Sequence, residues 1–152
     1  MKEKIESELL QAQKDRDELK VSTLRMLVAA MQNEEIAVRT REGTSRKLSD
    51  EEIQKLVATE IKKRKEAIEG FTQGGNVEMA DKEKKEMETL FSYMPEQMSE
   101  EELNKVVSET ITEVGATGLQ DFGKVMGAVM GKVKGKATGD VVSVEVKKQL
   151  GN

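Results

Sequence analysis

The sequence contains neither cysteine nor histidine in its 152 residues. These two absences exclude disulfides, thiolate nucleophiles, Ser-His-Asp triads and the usual zinc ligands from the chain. The remaining catalytic chemistries use carboxylate, lysine or tyrosine side chains, and no spacing of those residues indicates a site. We therefore predict no catalytic residue, no metal site and no cofactor.

Proline and aromatic residues are also scarce: Pro95 is the only proline, and aromatic residues make up 3% of the chain. This composition does not suit sandwiches or barrels, whereas a charged content of 36% is typical of extended amphipathic helices. Long apolar runs are missing too, both the roughly 20 residues of a membrane span and the core of a signal peptide. The sequence predicts an all-α, cytoplasmic protein that does not enter a membrane.

The overall charge is acidic, with a formal net charge of −4 and an isoelectric point near 5.2. A protein with this balance does not attract polyanions as a whole, so any contact with nucleic acid requires a local basic patch. The stretch from Gly123 to Gly139 contains four lysines and no acidic residue. It is such a patch.

Apolar residues recur at helical spacing in seven segments, which we predict to be helices. Ser49 and Ser99 each precede three acidic residues, the last of which is a glutamate at the capping-box position, so a helix is expected to begin after each serine. Pro95 ends the fourth helix, because the residue before a proline disfavours helical conformation. We predict a four-helix part at residues 1–95 and a small three-helix part at residues 96–152. The predicted helices span about residues 1–16, 18–39, 49–74, 76–93, 99–114, 119–133 and 140–150, with a loop at 40–46.

The last predicted helix has a competing interpretation as a strand. Val142, Val144 and Val146 alternate with polar residues, which is the pattern of a strand. A single strand would have no partner in this chain. Asp140 can cap a helix that places Val142, Val146 and Leu150 on one face, so the helix is favoured.

Glycine recurs at every fourth position in the sixth segment, at residues 123, 127, 131, 135 and 139. At about 100° per residue, the glycines and the lysines that follow them lie on one side of a helix, and the valines and methionines lie on the other. Each glycine inside a helix costs roughly 1 kcal/mol relative to alanine. The repeated cost along one line suggests close approach of a backbone or a ligand.

Two hypotheses explain this line of glycines. It is either a seam that lets a neighbouring helix pack closely, or a surface where bare backbone and neighbouring lysines contact phosphates. The lysines beside the glycines favour solvent, and therefore the second hypothesis. The predicted RNA-binding residues are Lys124, Gly127, Gly131, Lys132, Lys134, Gly135 and Lys136; Gly135 is also expected to end the helix.

A second basic run, from Lys62 to Lys65, lies in the middle of the third predicted helix. Such a run is usually a solvated helix face, and Glu60, Glu66 and Glu69 stand at spacings that allow ion pairs with it. RNA contact is the alternative interpretation of these residues.

Four segments resemble one known family, and together they extend over essentially the whole chain. They are LRMLVAAMQNEEI from Leu24, EIKKRKEAIEGF from Glu60, YMPEQMSEEEL from Tyr93, and DFGKVMGAVMGKVKGKATG from Asp121. On these segments the chain resembles standalone members of the GatB/YqeY family, and the sequence is typical of a bacterial protein. The last segment is similar to the tail of the GatB subunit of tRNA-dependent amidotransferases and to part of the bacterial glutaminyl-tRNA synthetase, where this helical domain is implicated in gripping tRNA.

The resemblance implies a four-helix part followed by a three-helix GatB-tail-like domain. It implies kinship with glutamine-dependent carbon-nitrogen ligases, but the chain lacks their amidase and kinase modules. The leading hypothesis is a non-catalytic tRNA-binding or tRNA-enzyme accessory protein. A second hypothesis is a protein-interaction module that docks an amidotransferase or an aminoacyl-tRNA synthetase through the glycine line and the edge formed by Met126 and Met130. A third is a carbon-nitrogen ligase that uses glutamine as amido donor.

Overall fold

A computed structural model describes residues 1–151 and shows a chain built from α-helices. In this described part there are seven α-helices, one short 3-10 turn and no strand, so the all-α prediction is confirmed. The chain forms two compact units, Met1–Met94 and a second unit that begins at Pro95. None of the helices in the described range is both long enough and apolar enough to cross a bilayer.

The first unit contains four helices, and the second contains three helices with one 3-10 turn between the first and the second of them. In the first unit these are α1 (Lys2–Lys14), α2 (Glu18–Glu42), α3 (Asp50–Gln73) and α4 (Val77–Phe91). In the second unit they are α5 (Glu100–Val114), the 3-10 turn (Leu119–Asp121), α6 (Phe122–Val133) and α7 (Gly139–Leu150).

The helix starts at Ser49 and Ser99 follow from their side chains. Each serine Oγ accepts a hydrogen bond from the backbone N–H of the glutamate three residues later, and that glutamate's carboxylate accepts one from the serine N–H. Both capping boxes predicted from the sequence are therefore confirmed. At the other end of α5, Gly115 adopts φ 67°, which a glycine tolerates better than other residues.

Several predicted helix ends are wrong by one to three residues, and α1 and α4 each end two residues earlier than predicted, at Lys14 and Phe91. Helix α2 continues to Glu42 and ends at Gly43, since Gly43 alone in this segment takes the left-handed conformation (φ 73°) that closes the helix. The sixth helix begins at Phe122, because Leu119–Asp121 form a tighter 3-10 turn. Helix α7 begins after Thr138, so Asp140 lies within its first turn, where a carboxylate is favourable, and is not the N-cap residue. The helical interpretation of the Val142–Val146 segment is confirmed.

Each unit has its own apolar core. The first core is made by residues from all four helices and by Leu48 and Tyr93 beside them, namely Ile5, Leu24, Leu27, Met31, Val38, Leu48, Ile53, Val57, Ile61, Leu90 and Tyr93. The second core is made by one stripe from each of α5, α6 and α7 and by Ala137 between α6 and α7, namely Leu103, Val107, Val125, Val129, Val133, Ala137, Val142, Val146 and Leu150. Burial of these stripes against each other holds the helices, because short isolated helices are marginal in water.

Tyr93 joins the end of α4 to α1 in the first unit. Its buried ring lies in the core, and its hydroxyl donates a hydrogen bond to Glu8 Oε2 at 2.7 Å. This hydrogen bond, assisted by Lys20, lowers the pKa of Glu8 despite some loss of solvation. Burial, and then the Glu8 carboxylate, raise the pKa of the Tyr93 hydroxyl above its ordinary value. Tyr93 is the only tyrosine and the chain has no tryptophan, so its fluorescence reports on the first unit alone.

Candidate functional site

Helix α6 presents a buried face and a bare face in the second unit. Val125, Val129 and Val133 are completely buried against α5 and α7. Gly123, Gly127 and Gly131 are exposed, as expected for positions on the other side of the helix. We call these three residues the glycine face.

The glycine face is open, and no steric or conformational need within the unit explains its glycines. A Cβ placed on Gly123, Gly127 or Gly131 would meet no neighbouring atom of this unit within 4 Å, and none of the three has a positive φ. Within the second unit, the hypothesis of a packing seam is therefore wrong. The cost of glycine within a helix, roughly 1 kcal/mol each relative to alanine, is not offset by closer packing here.

Two of the predicted lysines are engaged at the end of α5. Lys124 Nζ donates a hydrogen bond to the carbonyl oxygen of Val114 at 3.0 Å. Lys132 Nζ forms a short ion pair with the Glu113 carboxylate. Both contacts lie at the surface, where ion pairs contribute little to stability and exchange readily.

The other two lysines lie in the turn between α6 and α7, which we call the lysine turn and define as residues 134–138. Helix α6 ends at Val133, where the sequence predicts its end, because Lys134 (φ 44°) and Gly135 (φ 81°) both take left-handed conformations. The turn is fixed by two hydrogen bonds: Met98 N donates to Lys136 O at 2.7 Å, and Gln97 Nε2 donates to Gly135 O at 3.0 Å.

The side chains of Lys134 and Lys136 are exposed. Within the described part of this unit, neither of them takes part in an ion pair or a side-chain hydrogen bond. Because the backbone of the turn is fixed and the amines are unpaired, the turn presents two available cations to solvent. These are the best placed of the predicted lysines to meet an anionic partner.

The predicted site residues therefore fall into two groups. Lys124, Gly127, Gly131 and Lys132 belong to α6, whereas Lys134, Gly135 and Lys136 belong to the lysine turn. Gly135 is half-buried, and its left-handed conformation closes the helix. This conformation explains a glycine at position 135, whereas no such requirement applies to the glycine face. Of the two methionines, Met126 packs against the core and Met130 is 38% exposed at the edge of the bare face.

The basic run on α3 differs from its prediction at Arg64. Lys62 and Lys63 are exposed and pair with Glu66 and Glu60 respectively, which agrees with a solvated face. Arg64, by contrast, is 6% exposed and is a buried part of the α3–α4 pair. A buried guanidinium is not available to a phosphate backbone, so RNA contact through this residue is not supported.

Arg64 is held by carboxylates from its own helix and from α4. Its Nε lies 2.9 Å from Glu86 Oε2 and 3.5 Å from Glu83 Oε2, and its Nη1 lies 3.5 Å from Glu60 Oε2. Its Nη2 donates to the sulfur of Met26 on α2 at 3.2 Å. We call Arg64, Glu60, Glu83 and Glu86 the Arg64 cluster. It is a structural feature of the first unit that sequence analysis missed.

One member of the Arg64 cluster carries a charge that disfavours folding. Loss of solvation, and then the neighbouring Glu86 carboxylate, raise the pKa of Glu83 above its ordinary value of 4.5, although Arg64 opposes the shift. A raised folded-state pKa means that the charged form of Glu83 is less favourable in the folded chain. Its effect on stability is absent below the unfolded pKa and grows unfavourable as pH rises through the folded pKa.

We expect Glu83→Gln to stabilise the first unit at pH 7, because the substitution removes this unfavourable charge. The advantage over the wild type should shrink as pH falls to about 4.5 and vanish below it. Urea unfolding followed by Tyr93 fluorescence across this pH range measures the difference. Glu88→Gln, at an exposed position of the same helix, is the matched control, and a Glu83→Gln variant less stable than wild type at pH 7 would contradict the expectation.

Comparisons with known proteins address the identity of the chain. A search among curated proteins finds no match. The family model described as Yqey-like protein matches residues 2–150, which is nearly the whole chain and includes both units. The resemblance inferred from the four sequence segments is thereby confirmed at the level of the family, and the chain belongs to the YqeY family of Yqey-like proteins.

Proposed function

We propose that this protein binds structured RNA, with tRNA as the expected ligand, through the glycine face and the lysine turn. In this role it acts as a non-catalytic tRNA-binding protein or as an accessory of a tRNA enzyme. The observation that carries the proposal is the open glycine face. Its three glycines are exposed, and no part of the second unit occupies the space that a side chain would fill. Glycines inside a helix that no contact within the unit requires favour an external partner that approaches the bare backbone.

The charges around this face support a phosphate-bearing partner. From Gly123 to Gly139 the chain carries four lysines and no acid, and the amines of Lys134 and Lys136 are available. Lysines beside a bare backbone suit contact with a sugar-phosphate strand, which is how proteins recognise the shape of folded RNA. Scarce aromatic residues, at 3%, disfavour a platform on which single-stranded bases stack.

Substitution of both Gly127 and Gly131 by alanine separates a ligand-facing role from a structural one. Because each new Cβ meets open space in the free protein, the double variant should be more stable by about 2 kcal/mol in total. RNA affinity should fall roughly tenfold or more, since overfilling a close contact costs about 1–3 kcal/mol. Increased stability with decreased binding is the expected pair of results, measured by urea unfolding and by anisotropy of labelled bulk tRNA.

Gly70→Ala is the matched control for this experiment. Gly70 is also an exposed helical glycine whose added Cβ would meet nothing within 4 Å, but it lies on α3 in the first unit. The control should gain about 1 kcal/mol of stability and leave RNA affinity unchanged. Unchanged tRNA affinity in the double alanine variant, or no tRNA binding by the wild type at low salt, would overturn the proposal.

A second candidate function is docking of a protein helix, such as one from an amidotransferase or an aminoacyl-tRNA synthetase. The observation that favours it is exposed apolar surface in the second unit, where Met130 is 38% exposed and Leu119 is 56% exposed. An apolar helix face would cover methionine and bare backbone together. Retention of a protein partner that survives nuclease treatment and high salt would favour docking, whereas loss of all partners on nuclease treatment would favour RNA.

A further inference from the structure

The C-terminal end of α5 occupies two of the four lysines of the proposed RNA site. Glu113 pairs with Lys132, and the carbonyl oxygen of Val114 accepts a hydrogen bond from Lys124. These contacts join the last turn of α5 to two positions on α6 that lie eight residues apart. In the free protein, half of the lysines that the proposed function assigns to phosphate are therefore already bound to oxygen atoms of the chain.

Glu113 stands at a position that helix formation does not favour. It is in the last turn of α5, where the carbonyl groups point out of the helix and a negative charge is unfavourable. The last turn of α5 has no basic residue to compensate this charge, and the cation that contacts Glu113 is Lys132 on α6. The stability of α5 therefore gives no reason for an acid here, whereas the neighbouring basic face does.

We propose that Glu113 sets the affinity of the polyanion site by competing with phosphate for Lys132. This inference rests on the proposed function and describes how that site is regulated. When RNA binds, a phosphate oxygen replaces the Glu113 carboxylate as the partner of Lys132, and this exchange costs part of the binding energy. The exchange needs no rearrangement of the fold, since the side chains of Lys132 and Glu113 are 38% and 61% exposed. Lys134 and Lys136 supply the initial contacts because their amines are available before RNA arrives.

The proposal predicts that a single neutral substitution improves binding. Glu113→Gln keeps the size of the side chain but releases Lys132, so affinity for labelled bulk tRNA at 0.1 M salt should rise about two- to fivefold. In the wild type, the Glu113 carboxylate regains counterions when RNA takes Lys132, so without that carboxylate the slope of log affinity against log salt should steepen by at most about 0.7 to 0.9. Glu101→Gln is the matched control, because it removes the same charge from an exposed position in the first turn of the same helix.

A second measurement tests the ion pair without RNA. Acetylation of Lys132 by an N-hydroxysuccinimide ester, followed by peptide mass spectrometry, should be at least about twofold faster in Glu113→Gln than in wild type, because a paired ammonium is shielded from the reagent. Lys105, an exposed lysine on α5, provides the internal reference for reagent dose. Equal acetylation of Lys132 in both proteins would overturn the inference.

The outcomes separate this inference from the proposed function. If wild type binds tRNA and Glu113→Gln binds with the affinity and salt slope of Glu101→Gln, the inference fails while the proposed function stands. Binding by Glu113→Gln without binding by wild type supports competition by Glu113, but it overturns tRNA binding as the function of the unaltered protein. If no variant binds tRNA at low salt, both are overturned.

Discussion

Reversal of the two lysine-turn charges, Lys134→Glu with Lys136→Glu, is expected to lower tRNA affinity roughly 50-fold or more at 0.1 M salt. For a duplex, each phosphate contact changes log affinity by about 0.9 per decade of salt concentration. At 0.1 M salt, one decade below 1 M, one contact therefore contributes roughly eightfold in affinity. Loss of two contacts therefore accounts for about 60-fold, and the new negative charges add repulsion. The slope of log affinity against log salt should flatten by about 2.

The substitutions leave the lysine turn intact, which makes the result interpretable. The turn is held by hydrogen bonds from Met98 and Gln97 to backbone carbonyl oxygens, and these do not involve the lysine amines. Glutamate, like lysine, is unbranched at Cβ, so the left-handed conformation at Lys134 is strained no further. Circular dichroism of the double variant should match wild type.

Lys105→Glu with Lys148→Glu is the matched control for charge. These lysines are exposed on α5 and α7, so the control has the same net charge as the test variant but keeps the lysine turn. It should retain affinity within about threefold, an allowance for the weaker long-range attraction. An equal loss of binding in both double variants would show that net charge alone governs binding, which contradicts a defined site.

The helices could be predicted from the sequence because their signals are local. Capping boxes at Ser49 and Ser99, the left-handed Gly115 and the spacing of apolar residues act within a few residues of each other. The open side of α6 was also predictable, since lysines beside glycines favour solvent over a packed seam. Helix ends were predicted less well where neighbouring residues compete for the N-cap position. At the start of α7, the N-cap residue is Thr138 and not Asp140.

The state of each lysine could not be predicted, because it depends on contacts between helices. Lys132 and Lys136 occupy equivalent places in the four-residue repeat, yet Lys132 meets Glu113 and Lys136 lies beyond the end of α6. The packing of α5 against α6 and the end of α6 at Val133 together decide that difference. The sequence therefore identifies the candidate lysines, but only the structure shows which of their amines are paired and which are available.

The Arg64 cluster was missed although the sequence contains a signal for it. Arg64 stands three residues after Ile61 and seven after Val57, which places it on the apolar stripe of α3. Glu86 has the corresponding place on α4, four residues before Leu90. Opposite charges on the facing stripes of two helices joined by a short turn indicate a buried pair, and a run of basic residues obscured that pattern.

Arg64→Met is expected to destabilise the first unit by about 3–5 kcal/mol, the largest stability effect we predict for this chain. Methionine replaces much of the aliphatic stem, but the Glu86 carboxylate would remain buried without its cation, and buried Glu60 would keep only Lys63. An unpaired buried charge costs far more than the loss of a surface ion pair. Urea unfolding followed by Tyr93 fluorescence measures the change in the unit that contains the cluster.

Two further variants distinguish the loss of charge compensation from other effects of Arg64→Met. Lys62→Met removes a neighbouring cation whose side chain is 75% exposed, so stability should change by no more than about 0.5 kcal/mol. Arg64→Met combined with Glu60→Gln and Glu86→Leu removes the buried carboxylates as well, and stability should recover by several kcal/mol, since apolar replacements of buried ion pairs are often neutral or better. If Arg64→Met shifts the unfolding midpoint no more than Lys62→Met does, Arg64 is not a buried charge that must be compensated, and the basic run on α3 would again be a candidate for RNA contact.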